Sequence, residues 1–342
     1  MSVTVRKEQG ISRKHATCRR VHRRLTARVV LAVFGVAIAG FAARPVELAA
    51  QPVRTNTGWS YDIASRVTAP RGALVLMPGF GGSFADFSDL TSATSHHSVL
   101  ADTLASQGVT VVFIAPPPGI LFGGASHMQQ LEDTIVEALK SVSASALPIA
   151  IGGFSAGGTD AVLFAERCAA RGCSMPHSVR AVFAVDAPLD WYRLWENAML
   201  VLRHQPPGAN VAEAQQIRKA LTARLGAQPT ASSQRYLLAS PLATKARSGG
   251  NARKLAGLAV RAYTEPDIQW WMENRGLDYY GMNALDAASL IRHLKLLGNT
   301  RAELIVTSGR GYRSNGMRHP HSWSIVDQGD LAQWLVRQLS AQ

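Results

Sequence analysis

Three cysteines in 342 residues are too few for a disulfide-stapled scaffold. There is no HExxH run and no paired Cys/His cluster, so a metal-dependent hydrolase has no ligand set to start from. Charged residues make up 17% of the chain, yet 47% is hydrophobic, which excludes disorder for the bulk. No internal repeat or low-complexity linker breaks the sequence. Apolar runs are short: the run over residues 29–43 (VVLAVFGVAIAGFAA) falls below the ~20 residues of a spanning helix, so a polytopic membrane protein is excluded.

The formal charge of +13 is unevenly placed. Residues 1–50 carry ten Lys/Arg and two Asp/Glu, a net of +8, and the other 292 residues carry only +5. A body that mildly basic gives no footing for a nucleic-acid partner. The leader has a basic stretch from Arg6 to Arg28, then the apolar run, then small residues. That order describes a secretory signal peptide with cleavage after Ala42 or Ala50; an uncleaved anchor is the alternative, and the only membrane contact expected. The pairs Arg19–Arg20 and Arg23–Arg24 fit a twin-arginine signal poorly, and Cys18 precedes the apolar run, where it is not placed for lipid attachment. In the remaining body, Cys168 and Cys173 lie five positions apart around Arg171–Gly172. They read as a short disulfide at a helix end in an oxidising compartment, or as two free thiols.

Residues 51–342 are long enough for one α/β domain with an insertion. Short apolar runs alternate with helical periods, the pattern of a parallel sheet covered on both faces. Strands are expected at 73–77, 109–115, 148–152, 181–185, 258–264 and 302–307, with one or two leading edge strands within 55–68. Helices are expected at 98–107, 128–142, 157–170, 287–297 and 329–339. Between 187 and 255 the rhythm breaks into helical patches without a strand, which reads as a cap-like insertion.

The sharpest motif is Gly153-Phe154-Ser155-Ala156-Gly157, directly after one strand and directly before a helix. A serine there is presented on a tight turn, with glycines relieving the bend and a helix N-terminus supplying donors. Such a serine needs a base held by an acid. After the strand LAVRAYT comes Glu265-Pro266-Asp267, and after AVFAV comes Asp186. Asp267 is the preferred acid, with Glu265 and Asp186 as alternatives. Past the last strand lies Arg318-His319-Pro320-His321-Ser322-Trp323, in which His321 is the preferred base and His319 the alternative. His96–His97 lies upstream of the serine and reads as a surface pair or a substrate-side wall. The oxyanion donors are expected to be the backbone N–H groups of Ala156 and of Phe80, or of Gly81, in the glycine-rich loop Pro78–Gly82.

In this order, the GFSAG, PGFGG, EPD and HPHSW segments resemble the α/β-hydrolase family over nearly the whole body. The resemblance implies a mainly parallel sheet of about eight strands and an acyl-serine intermediate hydrolysed by water; no cofactor or metal is expected. The first loop departs from the His-Gly of many members, which leaves the second oxyanion donor open. The function expected is exported cleavage of small carboxylic esters. A serine peptidase or amidase of the same fold and a catalytically inactive binding member are the alternatives. The aromatic residues Trp191, Tyr192, Trp195, Trp270, Trp271, Tyr279 and Tyr280 are candidates for a substrate pocket or for cap packing. Arg310, Arg313 and Arg318 crowd the histidine segment, where they could attract an anion or face water.

Overall fold

The computed structural model describes residues 52–82, 98–175, 179–226, 228–313 and 315–340. The chain divides into two units, Met1–Glu47 and Leu48–Gln342, and every described residue belongs to the second. The expected leader and the His96–His97 pair lie outside the described residues. No helix among the described residues is long and apolar enough to cross a membrane.

Eight strands form one sheet: β1 (Val53–Arg54), β2 (Ser60–Ser65), β3 (Gly72–Met77), β4 (Val109–Ala115), β5 (Ile149–Phe154), β6 (Val179–Val185), β7 (Ala259–Thr264) and β8 (Ala302–Val306). Their order is β1-β2-β4-β3-β5-β6-β7-β8. β1 and β2 pair antiparallel, β2 meets β4 antiparallel, and all other pairs are parallel. The central strands are continuous apolar runs because helices cover both faces. Alternation within β3 shows the two layers: Ala73, Val75 and Met77 join one core cluster, Leu74 and Leu76 the other. Burial of each Val, Leu or Met side chain here contributes roughly 1.5–3 kcal/mol.

The crossover helices follow from that pattern. α1 (Ser98–Ser106) joins β3 to β4, α2 (Ala125–Ser141) joins β4 to β5, and α3 (Ala156–Ala169) joins β5 to β6. After β6 come α4 (Trp191–His204), α5 (Val211–Leu225), α6 (Pro229–Ala239) and a 3₁₀ segment, Arg247–Gly257, with no strand among the described residues before β7. α7 (Ile268–Arg275) and α8 (Ala284–Leu296) precede β8, and α9 (Gln328–Ser340) closes the chain. α1 and α9 pack on the Leu74 side, whereas α2, α3 and α8 pack on the Val75 side. α7 is absent from the sequence expectations, since its short run IQWWMENR buries no side chain and carries no clear apolar face.

The helices between β6 and β7 share a small core of their own. Trp191, Trp195, Leu221, Leu225 and Tyr236 gather there with Phe122. A buried ion pair ties this layer to the sheet domain. Arg193 donates from Nε and Nη2 to the Asp286 carboxylate at 2.6 and 2.8 Å, and Asp286 also accepts from the backbone of Leu189 and Asp190. Asp190 in turn caps α4, accepting from Tyr192 and Arg193 N–H groups. At the other end of α3 from Ser155, a disulfide joins Cys168 to Cys173.

β3 and β5 are sheet neighbours, but the chain leaves them in opposite directions, toward β4 and toward β6. A crevice opens above such a reversal at the carboxyl ends of the strands. The Pro78–Gly82 loop and Ser155 both emerge there.

Candidate active site

Ser155 follows β5 and precedes α3, with φ +52° and ψ −122°. A non-glycine residue in that region costs about 1–3 kcal/mol, and the surroundings must enforce it. The Ser155 N–H donates to the Val185 carbonyl at 2.9 Å, and its carbonyl accepts from Thr159 N at 3.1 Å. The flanking glycines are sterically required: a Cβ on Gly153 would collide with the backbone of Gly157, and one on Gly157 with the carbonyls of Met77 and Pro78. The elbow thus puts α3 hard against the end of β3.

His321 reaches Ser155 from the segment after β8. Its Nε2 lies 3.0 Å from Ser155 Oγ, and its Nδ1 lies 2.6 Å from Asp186 Oδ2. The imidazole packs against Phe154, with ring centroids 4.5 Å apart. Asp186 is the first residue past β6, also at positive φ (+44°). Its N–H donates to the Tyr263 carbonyl, its own carbonyl accepts from Asn283 Nδ2, and Thr264 Oγ1 reaches Oδ1 at 3.4 Å. The Asp186 side chain is 5% exposed, so the carboxylate meets His321 away from bulk water.

The carboxylate at His321 is therefore Asp186, not the expected Asp267. Asp267 caps α7, accepting from Trp270 N at 3.1 Å, and pairs with Arg318. That arginine, with the Trp270 N–H, holds its carboxyl below the ordinary carboxylate range. Glu265 is buried and accepts from Thr307 Oγ1 at 2.6 Å and from Arg318 Nη2 at 2.8 Å. Both acids of the EPD segment thus anchor the histidine-bearing segment through Arg318 and leave its imidazoles alone. β6 pairs directly with β5, so an acid at its end stands one strand spacing closer to Ser155 than one after β7. The sequence shows Asp186 at the end of an apolar strand with no helix directly after it, whereas the N-cap role of Asp267 becomes visible only once α7 is placed.

His319 does not touch Ser155. Its Nδ1–H donates to the His321 carbonyl at 3.1 Å, and its Nε2 accepts from Arg275 Nη2 at 2.7 Å. Burial, then Arg313, Arg275 and His321, pushes its pKa down to about 4.

Ala156 opens α3, and its N–H is one of the first-turn donors that no helix carbonyl can satisfy. The Pro78–Gly82 loop turns tightly beside it: Gly82 N donates to the Gly79 carbonyl, and Gly81 takes φ +71°. A Cβ on Gly79 would lie 3.4 Å from the Ser155 Cβ, so this loop runs over the serine. Two cavities flank the spot. One of about 160 Å³ borders Ser155, His321, Leu194, Ile217, Trp271 and Arg275. The other, about 100 Å³, lies between the Pro78–Gly82 loop, Pro116–Ile120 and Asp160. Phe80, Phe122 and Ala156 border both. Trp191, one of the aromatic pocket candidates, is instead fully buried in the core shared by the helices between β6 and β7. Among the described residues no group of three His, Cys, Asp or Glu side chains is placed to hold a metal ion.

No family model and no curated protein sequence matches the chain. Solved structures do resemble it. The Pyrococcus horikoshii acylaminoacyl peptidase superposes with a TM-score of 0.51 at 12% identity, over 83% of this chain and 40% of that one. The chain has the α/β-hydrolase fold. A monoglyceride lipase from Saccharomyces cerevisiae has a TM-score of 0.48 at 15% identity, covering 85% of this chain and 96% of its own. An esterase from the archaeon Pyrobaculum calidifontis has 0.49 at 16%, covering 84% and 81%. Within the hydrolase fold, the elbow after β5 and the eight-stranded order place Ser155 at the reversal point of the sheet.

Proposed function

We propose that the protein is an exported serine hydrolase that cleaves carboxylic esters through an acyl-Ser155 intermediate. The observation that carries this reading is a single imidazole bridging Ser155 Oγ at 3.0 Å and Asp186 Oδ2 at 2.6 Å. Asp186 accepts a hydrogen bond from the Nδ1–H of His321 and so fixes the tautomer whose Nε2 is free to act as base. His321 takes the Ser155 proton as Oγ attacks the ester carbonyl. The oxyanion forms facing the N–H groups of Ala156 and Phe80, where the α3 dipole adds to their stabilisation. Collapse breaks the bond to the leaving alkoxide, which receives the proton held on His321. Water then attacks the acyl-serine, gives its proton to the same nitrogen, and releases the acid as Ser155 is reprotonated.

Export is supported by the basic and apolar order of residues 1–50 and by the Cys168–Cys173 disulfide, a bond favoured in oxidising compartments. The test of the activity is hydrolysis of short-chain p-nitrophenyl esters beside matched peptide amides. Turnover of the esters, lost in Ser155→Ala with circular dichroism unchanged, is the expected result. Ester turnover persisting in Ser155→Ala would remove the proposed nucleophile, and cleavage of amides alone would move the reading to a peptidase.

A further inference from the structure

Arg275 is the last residue of α7 and lines the same cavity as Ser155 and His321. Its position is fixed from two sides. Gly276 turns the chain at φ +59°, where a Cβ would run into Pro206, and Leu277 N donates back to the Trp271 carbonyl. His319 Nε2 accepts from Arg275 Nη2, while its Nδ1–H is committed to the His321 carbonyl. The ring holding the guanidinium is therefore neutral, edged by Trp270 and Trp271, and its lowered pKa of about 4 keeps it so at ordinary pH. A neutral acceptor positions the arginine without cancelling its charge.

Arg313, which also makes no ion pair among the described residues, does not line the cavity, and three other arginines near the site are neutralised. Arg318 pairs with Glu265 and Asp267, Arg310 with Asp327, and Arg193 with Asp286. Among the described residues Arg275 makes no ion pair with a carboxylate. The acidic residue lining the cavity, Glu213, is exposed on α5 and accepts from Asn210 Nδ2 instead. Much of the wall of the cavity that Ser155 and Arg275 share is apolar, with Leu194, Ala198, Ile217 and Trp271 among its lining. Such a cavity suits an apolar chain ending in an anion, and a planar guanidinium matches a carboxylate with two parallel hydrogen bonds. The His319 and His321 ring centroids are 6.3 Å apart, and Arg275 meets His319 at Nε2 while Nδ1 faces the His321 carbonyl, which sets the guanidinium across the His319 ring from the His321 backbone.

We infer that Arg275 is a specificity-determining residue that binds a carboxylate at the far end of the acyl chain, making half-esters of dicarboxylic acids the preferred substrates. This rests on the ester-cleaving reading of Ser155. The test compares kcat/KM for p-nitrophenyl hydrogen adipate with that for p-nitrophenyl hexanoate, matched in chain length, in the full-length protein and in Arg275→Met and Arg275→Lys. The wild type is expected to favour the adipate ester by at least about tenfold, the scale of one charge-assisted hydrogen bond. Arg275→Met brings the ratio to one or below, and Arg275→Lys restores part of it. A wild-type ratio near one, or a ratio unchanged by Arg275→Met while both rates fall together, overturns the inference. If the folded protein hydrolyses neither ester, the Ser155 reading fails by itself, and calorimetric titration with adipate decides. Binding by the wild type that is lost in Arg275→Met keeps the subsite; equal or absent binding in both removes it.

Discussion

Asp186 and Asp267 stand at the ends of adjacent parallel strands, and their partners distinguish them. Asp186 holds His321 Nδ1 from a buried position, whereas Asp267 is committed to a helix N-terminus and to Arg318. Asp186→Asn is expected to lower kcat by about 10⁴-fold, because an amide no longer selects the imidazole tautomer that leaves Nε2 as base. Asp267→Ala is expected to cost about 1 kcal/mol of stability through the lost cap, with kcat changed only severalfold. Ester kinetics and urea denaturation on both variants check this; the reverse ranking of kcat would restore Asp267 as the acid. His319 has a separate signature. Its folded pKa of about 4 lies below the ordinary 6.5, so between those values the unfolded chain binds the extra proton. Its contribution to stability is complete above that ordinary value and is lost as pH falls toward about 4. The urea midpoint is expected to fall less steeply over this window in His319→Gln than in the wild type; parallel slopes would contradict it.

At the scale of elements, α3 carries different features at its two ends. Its first turn forms the elbow, and its last turn is tied by Cys168–Cys173. Closing a loop this short stabilises by about 2 kcal/mol through the unfolded chain. Cys168→Ala/Cys173→Ala is therefore expected to lower the unfolding free energy by that amount, read as a lower urea midpoint at unchanged slope, while leaving ester kinetics intact, since the bond lies at the far end of the helix from Ser155. An unchanged midpoint would contradict it. The strands β3 to β6 and the elbow were legible in the sequence, because a strand buried on both faces is a continuous apolar run and a sharp strand-to-helix turn needs glycines at fixed offsets. The loops after β6 and β7 were less legible. Whether a carboxylate there faces histidine, arginine or a helix N-terminus depends on where Arg318 lies, and that is set by the packing of a segment 51 residues away from Asp267. α7 leaves no mark in the sequence, since no apolar stripe runs along it.

For the whole molecule, the eight-stranded sheet brings together three residues far apart in sequence: 166 positions separate Ser155 from His321. The parallel order does this by placing the ends of β5 and β6 side by side, with helices between β6 and β7 walling the cavity above. The +13 charge is a poor guide to this chemistry, since +8 of it lies in residues 1–50. If that leader is a cleaved export signal, the exported protein begins at Ala43 or Gln51, and N-terminal sequencing of the mature chain reads which; a chain still starting at its leader would contradict cleavage and leave the uncleaved anchor. The central claim is that Ser155 is an activated nucleophile. Its most direct test is labelling of the folded protein with a fluorophosphonate, with the adduct mapped by mass spectrometry. One adduct per chain on Ser155, absent in Ser155→Ala and slowed in Asp186→Asn, is the predicted result. Folded protein that takes no label at Ser155 would contradict it.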